Sequence, residues 1–146
     1  MTCTFFGHRT ITDDIEHKLY ALIENLIINN GVSLFYVGNQ GAFDYCVRNC
    51  LKILRQKYPH IRYAVVLAYL PRETKKDDYE DYSDTIFPDG LEVTPPKFAI
   101  VKRNRWMIEK SDYVITYVKN PYGGAAKFKE LSEKKGKVVY NIAELL

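Results

Sequence analysis

Three short glycine-bearing stretches hold the residues best suited to chemistry. They are Gly7, His8 and Arg9; then Gly38, Asn39, Gln40 and Gly41, with Asp44 just beyond; and Gly123, Gly124 and Ala125. Glycine lets the backbone turn sharply and come close to a ligand. A helix that begins just after such a turn offers unpaired N–H groups and the positive end of its dipole, where an anion, most simply a phosphate, fits. The Gly123–Gly124 pair precedes a predicted helix from about Ala125 to Lys135 and is the first candidate for such a site. The alternative is an ordinary strand-to-helix turn that uses glycine for geometry.

The polar residues around these turns each admit two readings. Arg9 suits a ligand phosphate and His8 a hydrogen-bond donor at the site; both would equally serve in a surface turn. Asp44, in the first turn of its helix, is placed to accept from a ribose hydroxyl or to stabilise its own helix N-terminus. Arg103, Asn104 and Arg105 lie on one predicted helix, where two arginines two positions apart cannot share a face. One of them is expected at the site and the other in solvent. Glu130, in the second turn after the glycine pair, is either a solvated helix residue or a carboxylate facing a pocket. Trp106 and Met107 read as core.

The elements that must position these residues follow a regular rhythm. Thr2 to Phe6 is a short buried strand. The following helix is expected to be capped by Thr12, with Asp13 and Glu16 at capping-box spacing, and carries Ile15, Leu19, Leu22, Ile23, Leu26 and Ile27 at helical period. Asn29, Asn30 and Gly31 end it. Ser33 to Val37 is a strand and Ala42 to Lys57 a helix, stopped by Tyr58 and Pro59. Arg62 to Leu70 is apolar almost throughout, as a strand covered on both faces should be. Residues 71–93 lack clear periodicity and read as a loop near the site. Thr94 is the expected cap of a helix with Pro95 at its first position, running to about Lys110. Tyr113 to Val118 is a strand, and Lys137 to Ile142 the last one. Crossovers of this length join parallel strands through helices. The expected fold is α/β: a single Rossmann-like, doubly wound, mainly parallel sheet of about five strands over residues 1–146. In such sheets ligands sit beyond the carboxyl ends of the strands at the switch point, here expected between the first and fourth strands.

Composition narrows the partners. The chain has 146 residues and a net charge of +3, with both signs intermixed. That argues against binding duplex nucleic acid mainly through charge, and nucleic acid is not the expected partner. No apolar run approaches membrane-spanning length and no signal-peptide pattern opens the chain, so a cytoplasmic protein without membrane contact is expected. The three cysteines have no metal-type spacing and read as buried free thiols in a reducing compartment. Neither GxGxxG nor GxxxxGK[ST] is present; no metal and no cofactor is expected.

At these residues the chain resembles a known family. FFGHR near the start, G-x-x-G-x-x-D from Gly38 to Asp44, RNRWM followed by Ser111–Asp112 and Val114–Ile115, and GGA before a helix are similar to the SLOG superfamily. This is the Rossmann-like group of the DprA/Smf proteins and the LOG phosphoribohydrolases, and the small stand-alone YpsA-type members are most similar. The resemblance covers nearly the whole chain. It implies a pocket for a nucleotide or nucleotide-derived ligand, with phosphate at Gly123–Gly124, and a homodimer paired through helices. In LOG enzymes an R-K-x-x-M motif supplies a catalytic arginine, matched here by Arg103 and Met107. Their P-G-G-x-G-T-x-x-E motif supplies phosphate contacts and a catalytic glutamate, matched by Gly123, Gly124 and Glu130. Ala126, Lys127 and Asn104 depart from the third glycine, the threonine and the lysine of those motifs, and these departures weigh on catalysis more than on binding. The resemblance thus implies a sensor or regulatory module for ligands such as ADP-ribose, an NAD-related molecule or a nucleoside monophosphate. Its alternatives are an N-glycosidase acting on nucleoside 5′-monophosphates and, by likeness to DprA, single-stranded DNA binding.

Overall fold

A computed structural model of the chain describes residues 1–69 and 85–146. Five strands match the expected ones: β1 (Thr2–Gly7), β2 (Leu34–Val37), β3 (Arg62–Val66), β5 (Tyr113–Tyr117) and β6 (Val138–Asn141). A two-residue β4 (Thr85–Ile86) adds a sixth at one edge. The helices are α1 (Glu16–Asn30), α2 (Gly41–Lys57), α3 (Pro96–Lys110), α4 (Gly124–Lys134) and the short α5 (Ile142–Leu145). All pairings are parallel, in the order β4-β3-β2-β1-β5-β6. β1 therefore stands between β2 and β5, and the switch point falls between β1 and β5 as the element order implies.

Strand alternation divides the core into two layers. Cys3 and Phe5 of β1 and Ile115 and Tyr117 of β5 face α1 and α2, where they pack with Leu19, Ile23, Val47 and Leu51. Phe6 and Val114 face the other way and pack with Met107 and Ile108 of α3 and with Phe128 and Leu131 of α4. Each fully buried aliphatic or aromatic side chain contributes about 1.5–3 kcal/mol, so the two layers together hold the crossovers against the sheet. The cysteines are free: Cys3 and Cys50 are buried, Cys46 half-buried, and burial pushes the Cys50 thiol up to about 12.

The structure departs from the sequence reading at element ends. α1 starts at Glu16 with no side-chain cap. Asp13 instead accepts from the Tyr117 hydroxyl at 2.6 Å and pairs with Lys119 at 3.0 Å, and Thr12 lies 3.5 Å from the same hydroxyl. Partners at the end of β5 thus outcompete the local cap, and they hold the Asp13 carboxyl below its usual range. Thr94 does not cap α3; its hydroxyl donates to the Gly90 carbonyl at 2.7 Å after a 3₁₀ turn at Leu91–Val93. α3 begins at Pro96, one residue later than expected. A residue before proline is driven out of the helical region, and Pro95 accordingly has ψ 138°. β3 ends at Val66 rather than Leu70, and the Val66 carbonyl is taken by Arg103. Of the expected loop at 71–93, only residues 85–93 fall within the described residues; they form β4, a turn and the 3₁₀ turn.

The end of β1 is fitted tightly to α2. A methyl group on Gly7 would overlap the Phe43 ring, which itself stacks on Tyr117 at 6.2 Å. Overpacking of this kind costs about 1–3 kcal/mol. Gly7→Ala should lower the urea midpoint correspondingly without changing the m-value. An unchanged midpoint would show that Phe43 is not seated under β1.

Candidate functional site

The three glycine-bearing loops meet at the carboxyl edge of the sheet and are joined there by backbone. The Ala42 N–H donates to the Arg9 carbonyl at 2.8 Å, which ties the β1 loop to the β2 loop. Gly41 permits that approach: its φ is +88°, and a methyl there would lie 2.8 Å from Arg9 Cα. On the other side the His8 N–H donates to the Tyr117 carbonyl at 3.3 Å. The ring of His8 accepts from Lys119 N–H at 2.9 Å and from Asn120 N–H at 3.4 Å, both through Nε2. The histidine expected to donate at the site is thus an acceptor that binds the β5 loop, leaving Nδ1 as its donor.

Between these loops lies a cavity of about 350 Å³. Gly7, His8, Arg9, Gln40 and Asp44 line it from the β1 and β2 loops, Ile100, Arg103, Asn104 and Met107 from α3, and Gly124, Ala125 and Phe128 from α4. Phe5 and Phe6 form its floor. Gly38, Asn39, Gly41 and Gly123, also expected at the site, are not part of this lining. Gly123 has φ +101°, and its carbonyl accepts the Lys127 N–H at 3.3 Å in the first turn of α4. The Gly124 and Ala125 backbone at the start of α4 faces the cavity, where N–H groups lack helical partners.

Arg103 is the most unusual residue of the site. It is a charged side chain only 3% exposed. Its Nε donates to Asn104 Oδ1 at 2.7 Å and its Nη1 to the Val66 carbonyl at 3.0 Å. Those are its only hydrogen bonds among the described residues, so Nη2 is unmatched beside the cavity. Arg105, two positions on, is exposed, as helical geometry requires. Asp44 is 8% exposed, and its Oδ2 accepts the Gln40 N–H at 3.0 Å. Gly38 makes room for both charges. A methyl there would stand 2.6 Å from Asp44 Oδ2 and 3.0 Å from Arg103 Nη1.

No family model matches the chain. UPF0398 protein BH1768 of Halalkalibacterium halodurans is 26% identical over 144 residues, covering 88% of this chain and 72% of that protein. Among solved structures, DNA processing protein A (DprA) from Streptococcus pneumoniae superposes with a TM-score of 0.67 at 16% identity, over 96% of this chain. DNA processing protein A from Helicobacter pylori, studied for its single-stranded DNA binding mode, superposes with a TM-score of 0.65 at 17% identity, over 95% of this chain. This chain shares the fold of those two DprA chains. It spans 49% of the pneumococcal chain and 63% of the H. pylori chain.

Within this fold the sequence motifs separate by place. FGHR, the Asp44 turn, Arg103–Asn104 and Gly124–Ala125 gather at the cavity. Ser111–Asp112 does not: it lies where β5 begins, at the other end of the sheet. There Asp112 accepts the Thr2 N–H through its side chain at 3.0 Å and donates its own N–H to the Thr2 carbonyl at 2.8 Å. That motif stitches strands together. Glu130 also lies outside the lining; it is exposed and pairs with Lys134 at 3.1 Å. Six residues after Gly124 is about 240° around a helix, whereas Phe128, four residues on, shares its face. Phe128, which stacks on Phe6 at 5.5 Å, was thus readable from the spacing as the α4 side chain at the cavity. Gln40, which holds Asp44 through its backbone, was marked only as part of its glycine turn. Among the described residues no three His, Cys, Asp or Glu side chains cluster as metal ligands would, and no helix is long and apolar enough to cross a membrane.

Burial dominates the electrostatics of the pair at Gly38. Loss of water lowers the Arg103 pKa, and the nearby Asp44 charge only partly restores it. Loss of water likewise raises Asp44 from 3.8 to about 6, against the opposing pull of the Gln40 N–H and of Arg103 and Arg48. A carboxyl that holds its proton more tightly when folded stabilises the protein below its unfolded pKa, and that stability is lost as pH rises through the folded value. The window is therefore from 3.8 to about 6, and at 1.36 kcal/mol per unit the contribution is at most about 3 kcal/mol. Asp44→Asn should gain on the wild type in unfolding free energy as pH rises through this range. Urea titrations of both proteins at several pH values measure it, and a pH-independent difference would refute it.

Proposed function

We propose that the chain binds a nucleotide or nucleotide-derived ligand in this cavity and acts as a sensor or regulatory module. The observation that carries the reading is the buried Arg103, whose Nη2 has no hydrogen bond among the described residues beside a cavity that also receives the start of α4. A desolvated guanidinium with unmatched donors calls for an anionic acceptor, and phosphate matches it bidentately. Unpaired N–H groups at the start of α4 and the exposed Arg9 supply further donors for the same group. About 350 Å³ lies near the lower end of small-molecule pockets and suits a mononucleotide. A larger ligand such as ADP-ribose would extend over the rim past Arg9.

Two further activities are separable by experiment. A nucleoside 5′-monophosphate phosphoribohydrolase needs a carboxylate to stabilise an oxocarbenium-like ribose or to activate water. Glu130 is exposed and ion-paired with Lys134, which favours binding over this chemistry. Release of free base from AMP that is lost in Glu130→Gln would support the enzyme. Single-stranded DNA binding draws support from the H. pylori neighbour, whose reported binding mode is for single-stranded DNA; it predicts oligonucleotide affinity that falls steeply with salt.

A thermal-shift panel of AMP, ADP-ribose, NAD and ATP tests the leading reading. A ligand at a hundred times its dissociation constant adds about 2.7 kcal/mol, which raises the melting temperature by several degrees. Arg103→Met should abolish the shift, and Glu130→Gln should leave it intact. No shift with any of the four, or an equal shift in Arg103→Met, would sink the proposal.

A further inference from the structure

We propose that Asp44 accepts hydrogen bonds from the ribose hydroxyls of the bound ligand, so that the site selects ribonucleotides over deoxyribonucleotides. This rests on the nucleotide-binding reading above and specifies the half of the cavity that reading leaves open.

Asp44 is the only carboxylate among the described residues that line the cavity. The other charged lining groups, Arg9 and Arg103, are donors suited to an anion. A carboxylate beside them repels a phosphate, so the ligand group it meets must carry hydrogen-bond donors. Its orientation is fixed in advance. Oδ2 is held by the Gln40 N–H at 3.0 Å, and Gly38 leaves just enough room behind it. Oδ1 carries no hydrogen bond among the described residues.

The charge of Asp44 also answers buried Arg103, but that attraction leaves Oδ1 without a hydrogen bond among the described residues at the cavity. A vicinal diol offers two O–H donors to one carboxylate, and a bond to a charged acceptor is about twice as strong as a neutral one. A 2′-deoxyribose offers one donor fewer and a dideoxyribose none. The same preference would set the cavity against DNA, whose sugars lack the 2′-hydroxyl by which a site tells RNA from DNA.

Calorimetric titration of the intact chain with AMP, 2′-deoxyAMP, 2′,3′-dideoxyAMP and IMP tests the proposal. AMP and IMP should bind alike, and the dideoxy analogue roughly ten- to a hundredfold more weakly, with 2′-deoxyAMP between. In Asp44→Asn the side-chain oxygen stays on the Gln40 N–H, so the amide NH₂ turns to the cavity and the ribose preference should shrink severalfold. Equal affinity for AMP and its dideoxy analogue overturns this inference and leaves nucleotide binding standing. So does a loss of affinity confined to IMP, which would put Asp44 on the adenine amine. Absence of binding by every nucleotide overturns both. Should Asp44→Asn not fold, the ribose series on the wild type decides alone.

Discussion

A guanidinium held in a nearly dry interior needs acceptors or an opposite charge close by. Arg103 is answered on two sides, by Asn104 and by the Val66 carbonyl, and faced by Asp44 across the bare α-carbon of Gly38. The rest of the rim depends on this arrangement. It ends β3 at Val66, fixes the register of α3 against the sheet, and sets the first turn of α2 through Gln40. Buried charge pairs add little to stability, since desolvation offsets their attraction; the directions of both pKa shifts here agree. What the pair supplies is a fixed pattern of charge at the mouth of a crevice.

The crevice itself is a product of topology. β1 sends its chain to α1 on one face, while β5 sends its chain to α4 on the other, so their loops part and leave space between them. Two features keep that space from collapsing. Phe5, Phe6, Met107 and Phe128 build a floor too well packed to rise, and the His8 ring props the β5 loop through two backbone N–H groups. At the other end of the sheet the strands are simply sewn together by Asp112 and Thr2. One end of the fold is closed by hydrogen bonds and the other is held open by them.

Most of this architecture was legible in the sequence because it rests on local pattern. The apolar period of α1, the β-branched run of β5 and the glycines at three strand ends pointed to parallel strands, to helices between them and to a site at one rim. The parts that were not legible depend on partners far away in the chain. Thr12 and Asp13 make a sound local cap, yet Tyr117 and Lys119, over a hundred residues later, claim Asp13. β4 is two residues long and exists only because β3 offers an edge. Glu130 matched a motif by spacing from the glycines, but helix rotation carries it away from the cavity. Gly38 read as a turn residue; its decisive property, the absence of a Cβ between two buried charges, is visible only once α2 and α3 are in place.

The loops of the rim are fastened to one another largely through main-chain atoms: Ala42 to Arg9, His8 to Tyr117, and Lys119 and Asn120 to a single imidazole. Main-chain fastening is indifferent to most side-chain identities. A cup built in this way keeps its shape while the residues pointing into it are exchanged, so its lining can drift without passing through a misshapen intermediate.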